Sequence, residues 1–384
     1  VSNESRAEVL ARLPLREDLR GSTPYGAPQL DVPVRLNTNE NSYDVPGDVV
    51  AAVVEAVRQQ ARHLNRYPDR EFTELREDLA NYLGHDLEAD QIWAANGSNE
   101  VLQQLLQAFA GPGRTVLGFT PSYSMHPIIS RGTGSAWVDG KRGRADGRTD
   151  DPNQFDLHVE ETVAQIQDHR PHVTFLCSPN NPTGTALDIE VVKAAYEATD
   201  GILIVDEAYA EFARPGTPSA LSLLPGRERL VVTRTMSKAF ALAGARVGYL
   251  AADPAVTDAI RLVRLPYHLS SLTQAAARAA LWHSDVLLDT VEEIKSERDR
   301  IVTSVGELGL RPAPSDANFV LIGGLGNEKA VWRSLLSRGV LIRDVGLPGF
   351  LRVTAGTSAE TTTFLDALAD SLLDVPGEEL QTLS

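Results

Sequence analysis

Five lysines stand among the 36 basic residues of this 384-residue chain, and one of them has unusual surroundings. Lys141 lies in a polar segment, Lys193 and Lys295 sit in helical patterns beside acidic neighbours, and Lys329 is near a helix start. Lys238 instead follows an apolar run, in TRTMSKAFALAGARVGYL, among small and hydroxyl-bearing residues. A lysine at a strand's exit, next to Ser237, can reach a ligand lying across the strand ends. Desolvation and nearby positive charge would lower its pKa and leave a nucleophilic amine. An isolated Ser-Lys pair is most often plain surface; the neighbouring motifs turn the reading toward a nucleophile.

Those motifs are three. SPNNPTG (Ser178 to Gly184) follows the run HVTFLC, and its prolines and glycine make a rigid turn aiming Asn181 back over the strand ends, or else a plain turn. GILIVD delivers Asp206 at the end of a buried strand, where a carboxylate needs a cationic partner. A protonated pyridine nitrogen is such a partner, and its charge makes the ring an electron sink; a helix N-cap is the other reading of Asp206. Tyr209, three residues on, can reach the phenolic oxygen of such a ring. In AANGSNEVLQQLLQAF, a strand leads through Gly97, Ser98 and Asn99 into an amphipathic helix whose amides and positive dipole end suit a phosphate. Ser98 or Asn99 could equally cap that helix. Arg246, eight residues after Lys238, can add a charge-assisted bond to the same phosphate.

The elements that must carry these residues alternate along the chain. Seven short apolar runs (QIWAA, TVLGF, SAWV, HVTFLC, GILIVD, RLVVTRT and RVGYLA), several separated by helical stretches, predict one largely parallel sheet covered by helices. Before them, periodicity predicts a helix from Asp48 to Leu64 with Val50, Val53, Val54 and Val57 on one face, and another from Glu71 to Leu83. After them comes one long helix, Ser271 to Leu308. FVLI, a helix from Glu328 to Arg338, VLIR, FLRVT and a last helix from Ser358 then read as a smaller α+β unit. The expected division is an N-terminal arm and active-site segment (1–45), a large α/β domain (46–270), a linking helix (271–308) and a small C-terminal domain (309–384). Gly140 to Asn153 reads as an exposed polar loop.

Composition narrows the class. Hydrophobic residues at 42% and charged residues at 23% are a globular balance, and the net charge of −16 argues against a nucleic-acid-binding face or an anionic membrane partner. A single cysteine, Cys177, excludes an intramolecular disulfide and fits a reducing compartment. The N-terminal stretch lacks the pattern of a secretory signal, and no apolar run approaches the ~20 residues that span a bilayer. A soluble, cytoplasmic protein without metal ligands is expected.

Taken in order, GSNE, PSY, SPNNPTG, VDEAY, SKAFALAGARVGY and LRVTAG resemble the fold-type I pyridoxal-phosphate-dependent aminotransferases. More narrowly they resemble the histidinol-phosphate aminotransferases of actinobacteria, over nearly the whole chain from PYGAP and LNTNEN to the final helix. The resemblance implies a seven-stranded, mostly parallel sheet in the large domain, with pyridoxal 5'-phosphate held on Lys238 as an internal aldimine. Asp206 would pair with the ring nitrogen, Asn181 and Tyr209 with the phenolic oxygen, and Tyr123 would stack on the ring, although by itself it reads as a packing aromatic. Ser98, Asn99, Ser237 and Arg246 would cradle the phosphate. Tyr67 would reach it from a neighbouring subunit, which implies a homodimer with composite sites.

For substrates, the resemblance implies histidinol phosphate and glutamate with their keto partners, including 2-oxoglutarate. Arg352 would grip a carboxylate bidentately, Arg343 would meet the substrate phosphate, and Tyr25, Asn39 and Tyr267 would line the same pocket; surface roles are the alternative for both arginines. An aromatic amino-acid aminotransferase shares nearly every motif, and a phosphothreonine decarboxylase has the same look. A cofactor-binding transcription regulator would need an added helix-turn-helix and a basic face, which this acidic chain lacks.

Overall fold

The computed structural model describes residues 6–21, 24–143 and 154–375. All seven apolar runs enter one sheet, whose spatial order is Ile92–Ala95, Gly248–Ala252, Leu230–Thr235, Ile202–Asp206, Val173–Cys177, Thr115–Thr120 and Ala136–Lys141. Gly248–Ala252 runs antiparallel to both neighbours, and the other pairings are parallel. The central strands are buried along their whole length, as expected of a sheet with helices on both faces. Each fully buried Val, Leu or Ile there contributes about 1.5–3 kcal/mol relative to exposure, which explains why continuous apolar runs rather than alternating ones encode these strands.

The single reversed strand matters for function. Parallel strands all end at one edge, and Gly248–Ala252, running the other way, begins at that edge. Residues that follow Asp206 and Thr235 therefore share a rim with Arg246, which precedes the reversed strand. Gly248 pairs with both Ala95 and Thr235, and a Cβ there would overlap the backbone of Gly97 and Ser98.

A second, antiparallel sheet has the order Arg343–Asp344, Leu351–Thr354, Phe319–Gly323, Arg311–Pro312. Val34–Arg35 pairs in parallel with Val340–Leu341, so the N-terminal segment is tied to the C-terminal part of the chain. Helices Glu328–Ser337 and Ser358–Asp374 pack on each other beside this sheet.

Three sequence expectations change. The long helix is two, Ser271–Leu281 and Ser284–Glu307. At the break the His283 ring nitrogen Nδ1 lies 2.8 Å from the Ala279 carbonyl, while the His283 amide donates to Ala280 instead; the side chain takes the acceptor that the next helical bond requires. In the helix Gly47–Ala61, Val49 is the buried residue, whereas Val50 and Val54 of the expected face are exposed. Gly140 and Lys141 belong to a strand rather than a loop, because Gly140 and Lys141 continue the pairing with Phe119 and Thr120; residues 144–153 of that segment lie outside the described residues. Among the described residues no helix is long and apolar enough to cross a membrane.

Gly248→Ala is expected to destabilise the protein by about 1–3 kcal/mol through overpacking against the Gly97–Ser98 backbone. Urea unfolding checks this, and an unchanged midpoint would contradict it.

Candidate active site

The shared edge of the large sheet opens onto a cavity that also meets the second sheet and the segment around residues 25–39. Of the residues singled out in the sequence, Tyr25, Asn39, Ser98, Asn99, Tyr123, Asn181, Asp206, Tyr209, Ser237, Lys238, Arg246, Arg343 and Arg352 line it. Tyr67 and Tyr267 do not. They stack on each other elsewhere, ring centroids 4.4 Å apart, with Tyr67 79% exposed.

Asp206 ends its strand fully buried, level with Cys177 on one side and Thr233 on the other. It caps no helix; its Oδ2 lies 3.0 Å from His126 Nε2, and Thr233 Oγ1 donates to its Oδ1 at 3.3 Å. His126 is wholly buried and stacked on Phe175 at 4.3 Å, and its Nδ1 has no partner among the described residues. Sequence reasoning missed His126. It follows Tyr123 by three residues in an otherwise apolar stretch, and nothing local links it to a carboxylate eighty positions away.

At the other end, the helix Ser98–Phe109 starts from Gly97, whose φ is +86°, and no side chain caps it. Ser98 and Asn99 are thus free of the capping role. Asn99 Oδ1 accepts from Tyr123 Oη at 3.2 Å. Arg246 Nη1 donates to Ser237 Oγ at 3.3 Å, and Thr235 Oγ1 donates to the same Ser237 oxygen at 3.0 Å. A Cβ on Gly97 would overlap the Arg246 guanidinium. Glycine is therefore required both for the left-handed turn and for the arginine to lie against the helix start. Helix-start amides, a guanidinium and two hydroxyls make a seat that fits a phosphate group.

Between these ends, Lys238 Nζ donates to the Thr38 carbonyl at 3.0 Å. Burial, reinforced by Arg352 and Arg246 and opposed by Glu40, pushes the amine down to about 8. The Tyr209 oxygen accepts from Asn39 Nδ2 at 2.9 Å and from Asn181 Nδ2 at 3.2 Å, and burial pushes this phenol up to about 12. Arg352 Nη1 donates to Asn181 Oδ1 at 2.5 Å and Nη2 to the Asn37 carbonyl at 2.9 Å, while its buried Nε makes no hydrogen bond among the described residues. A buried guanidinium with a spare donor at a cavity wall suits an anionic ligand group. Arg343 lies 5.8 Å from the centre of the Tyr25 ring. Among the described residues no cluster could hold a metal ion.

The arrangement can hold a phosphorylated aromatic ring by its phosphate, its nitrogen and a ring oxygen while presenting a nucleophilic amine. The sequence profile of the class I and II aminotransferases matches residues 32–368, and the chain belongs to that family. It is 62% identical to the histidinol-phosphate aminotransferase of Paenarthrobacter aurescens over 96% of this chain and 97% of that protein. It is 60% identical to the protein of the same name from Frankia casuarinae, over 94% and 90%. Among solved structures, histidinol-phosphate aminotransferase from Sinorhizobium meliloti in complex with pyridoxal-5'-phosphate superposes with a TM-score of 0.79 at 27% identity, covering 89% of this chain and 92% of that one.

A lysine held below its ordinary value of ~10.4 reacts as a neutral amine at lower pH. Competitive acylation of the cofactor-free protein, read peptide by peptide, is expected to modify Lys238 half-maximally near pH 8; a midpoint near the ordinary value would contradict the burial argument. The linked stability has a definite sign. The depressed amine stabilises nothing below its folded value, and the fold gains stability as pH rises from about 8 toward ~10.4.

Proposed function

We propose that the chain is a pyridoxal-phosphate-dependent histidinol-phosphate aminotransferase. It moves an amino group between histidinol phosphate or imidazole acetol phosphate and 2-oxoglutarate or glutamate. The observation that carries the reading is a relative of that name at 62% identity over nearly the full length, together with a cavity that sets the Lys238 amine among Asp206, Tyr209 and Arg352.

Pyridoxal phosphate, when bound, supplies a ring that draws electrons from the carbon bearing the exchanged nitrogen. Ser98, Asn99, Ser237 and Arg246 would hold its phosphate, Asp206 its ring nitrogen, Asn181 and Tyr209 its phenolic oxygen, and Tyr123 its face. His126 and Thr233 keep Asp206 oriented. Lys238 acts first as a nucleophile, for which its depressed pKa keeps a substantial neutral fraction. The Lys238 amine would also serve as the base that takes a proton from the substrate α-carbon and later returns one. Arg352 grips the α-carboxylate of glutamate. Arg343, at the cavity mouth beside Tyr25, serves the phosphate of histidinol phosphate, which has no carboxylate. The two half-reactions follow in turn: glutamate leaves as 2-oxoglutarate, then imidazole acetol phosphate takes up the amine and leaves as histidinol phosphate.

Steady-state kcat/KM with 2-oxoglutarate as acceptor is expected to favour histidinol phosphate over phenylalanine by about tenfold or more. A preference for phenylalanine would instead make the chain an aromatic aminotransferase.

The sites are composite in a homodimer. Tyr67 lies outside its own chain's cavity and is largely exposed. Val50 and Val54 on the helix Gly47–Ala61, and Trp282 at the end of the helix Ser271–Leu281 packed against it, are exposed as well. Tyr67 would then reach the cofactor phosphate of the other copy. Mixing and re-annealing Lys238→Ala with Tyr67→Ala chains is expected to yield more activity than either parent, because one site of each mixed dimer is intact. No gain on mixing would show self-contained sites.

A further inference from the structure

We propose that Thr354 and Asn39 form a positioning arm that holds the phenolic proton of Tyr209 pointing into the cavity. A phenol oxygen offers two acceptor directions and one proton. Both acceptor directions of Tyr209 are taken, by Asn39 Nδ2 at 2.9 Å and Asn181 Nδ2 at 3.2 Å, so the proton is left for a ligand in the cavity that Tyr209 lines.

Both asparagines are held by one strand of the second sheet. Arg352 and Thr354 are two positions apart on Leu351–Thr354 and so share a face. Arg352 fixes the Asn181 carboxamide by donating to its Oδ1, and Thr354 does the same for Asn39. The Thr354 hydroxyl accepts the Asn39 amide at 3.0 Å and donates to Asn39 Oδ1 at 3.1 Å. In this orientation Oδ1 accepts from Thr354 and Nδ2 faces Tyr209. Were it flipped, Oδ1 would accept the phenolic proton and turn it away from the cavity. The Asn39 backbone is also buried and bonded. It is 1% exposed, sits at φ +56° and has its carbonyl bonded by Asn318 Nδ2 at 3.1 Å. The sequence reading made Asn39 a pocket-lining substrate contact; its hydrogen bonds make it the support of a residue that touches the ligand.

This inference rests on the aminotransferase reading, in which the acceptor of the Tyr209 proton is the phenolic oxygen of pyridoxal phosphate. Withdrawing the donor leaves more negative charge on that oxygen, and the nitrogen attached nearby then holds its proton more tightly. The readout is the pH titration of the visible absorbance of the protein loaded with pyridoxal phosphate. Thr354→Val is expected to raise the midpoint by about half a pH unit or more, and Asn39→Asp, whose carboxylate accepts the phenolic proton, by more still. Thr354→Ser, which keeps the hydroxyl, is expected to titrate as the unsubstituted protein does. In a Tyr209→Phe background Thr354→Val is expected to add nothing, since the shift passes through the phenol. The charged and titratable groups facing Tyr209, namely Arg352, Cys177, Asp206 and Tyr123, are the same in Thr354→Val, so the shift reads the arm itself. If the unsubstituted protein forms no absorbing complex, the aminotransferase reading fails and this inference falls with it. If it does and Thr354→Val leaves the midpoint unchanged, the arm alone is overturned. Should the Thr354→Val chain not fold, Thr354→Ala, which likewise removes the hydroxyl and adds no charge, decides by the same titration.

Discussion

Asp206 closes a strand whose five residues are all buried, and a carboxylate there is tolerable only if both of its oxygens are bonded. His126 and Thr233 meet that need from the helix Met125–Gly132 and from the adjacent strand Leu230–Thr235. Much of the site is arranged around this requirement. The imidazole is held flat on Phe175 from the strand on the far side of Asp206, and Tyr123 stands edge-on to it at 5.4 Å. Tyr123 in turn donates to Asn99 at the helix start. A chain of contacts thus runs from Asp206 to the start of the helix Ser98–Phe109.

The reversed strand completes the frame. Had Gly248–Ala252 run parallel to its neighbours, Arg246 would lie at the opposite edge of the sheet, away from Ser237 and the helix start. Two glycines are the steric condition for this: Gly97 admits the guanidinium, and Gly248 lets the Ser98 helix begin against the sheet. The second sheet then supplies what the first lacks, a wall of donors. Through Arg352 and Thr354 it holds Asn181 and Asn39, which belong to a loop of the large sheet and to the N-terminal segment respectively. Three distant stretches of chain therefore converge on one phenol.

Where sequence and structure part, the reasons are local competition and missing partners. The helix from Ser271 breaks because His283 takes a carbonyl that the periodic pattern assigns to the backbone. Val50 and Val54 carry an apolar pattern that the single chain leaves exposed, since periodicity reports that a face is apolar but not what covers it. Tyr267 has a left-handed backbone (φ +60°) and stacks on Tyr67, away from the cavity lining.

The sequence by itself determined the strands, because full burial on two faces leaves an unmistakable run of apolar residues. It also determined the chemical types at their ends: an amine, a carboxylate, a phenol, an amide and guanidiniums each follow directly on a strand or turn, where local patterning is enough to place them. Only the tertiary structure decided how those groups are paired. His126 joins Asp206, Thr354 orients Asn39, and Thr38 receives Lys238 across separations of 80, 315 and 200 residues. Hydrogen-bond direction depends on which neighbour already holds each oxygen, and that is a property of the packed site rather than of any segment.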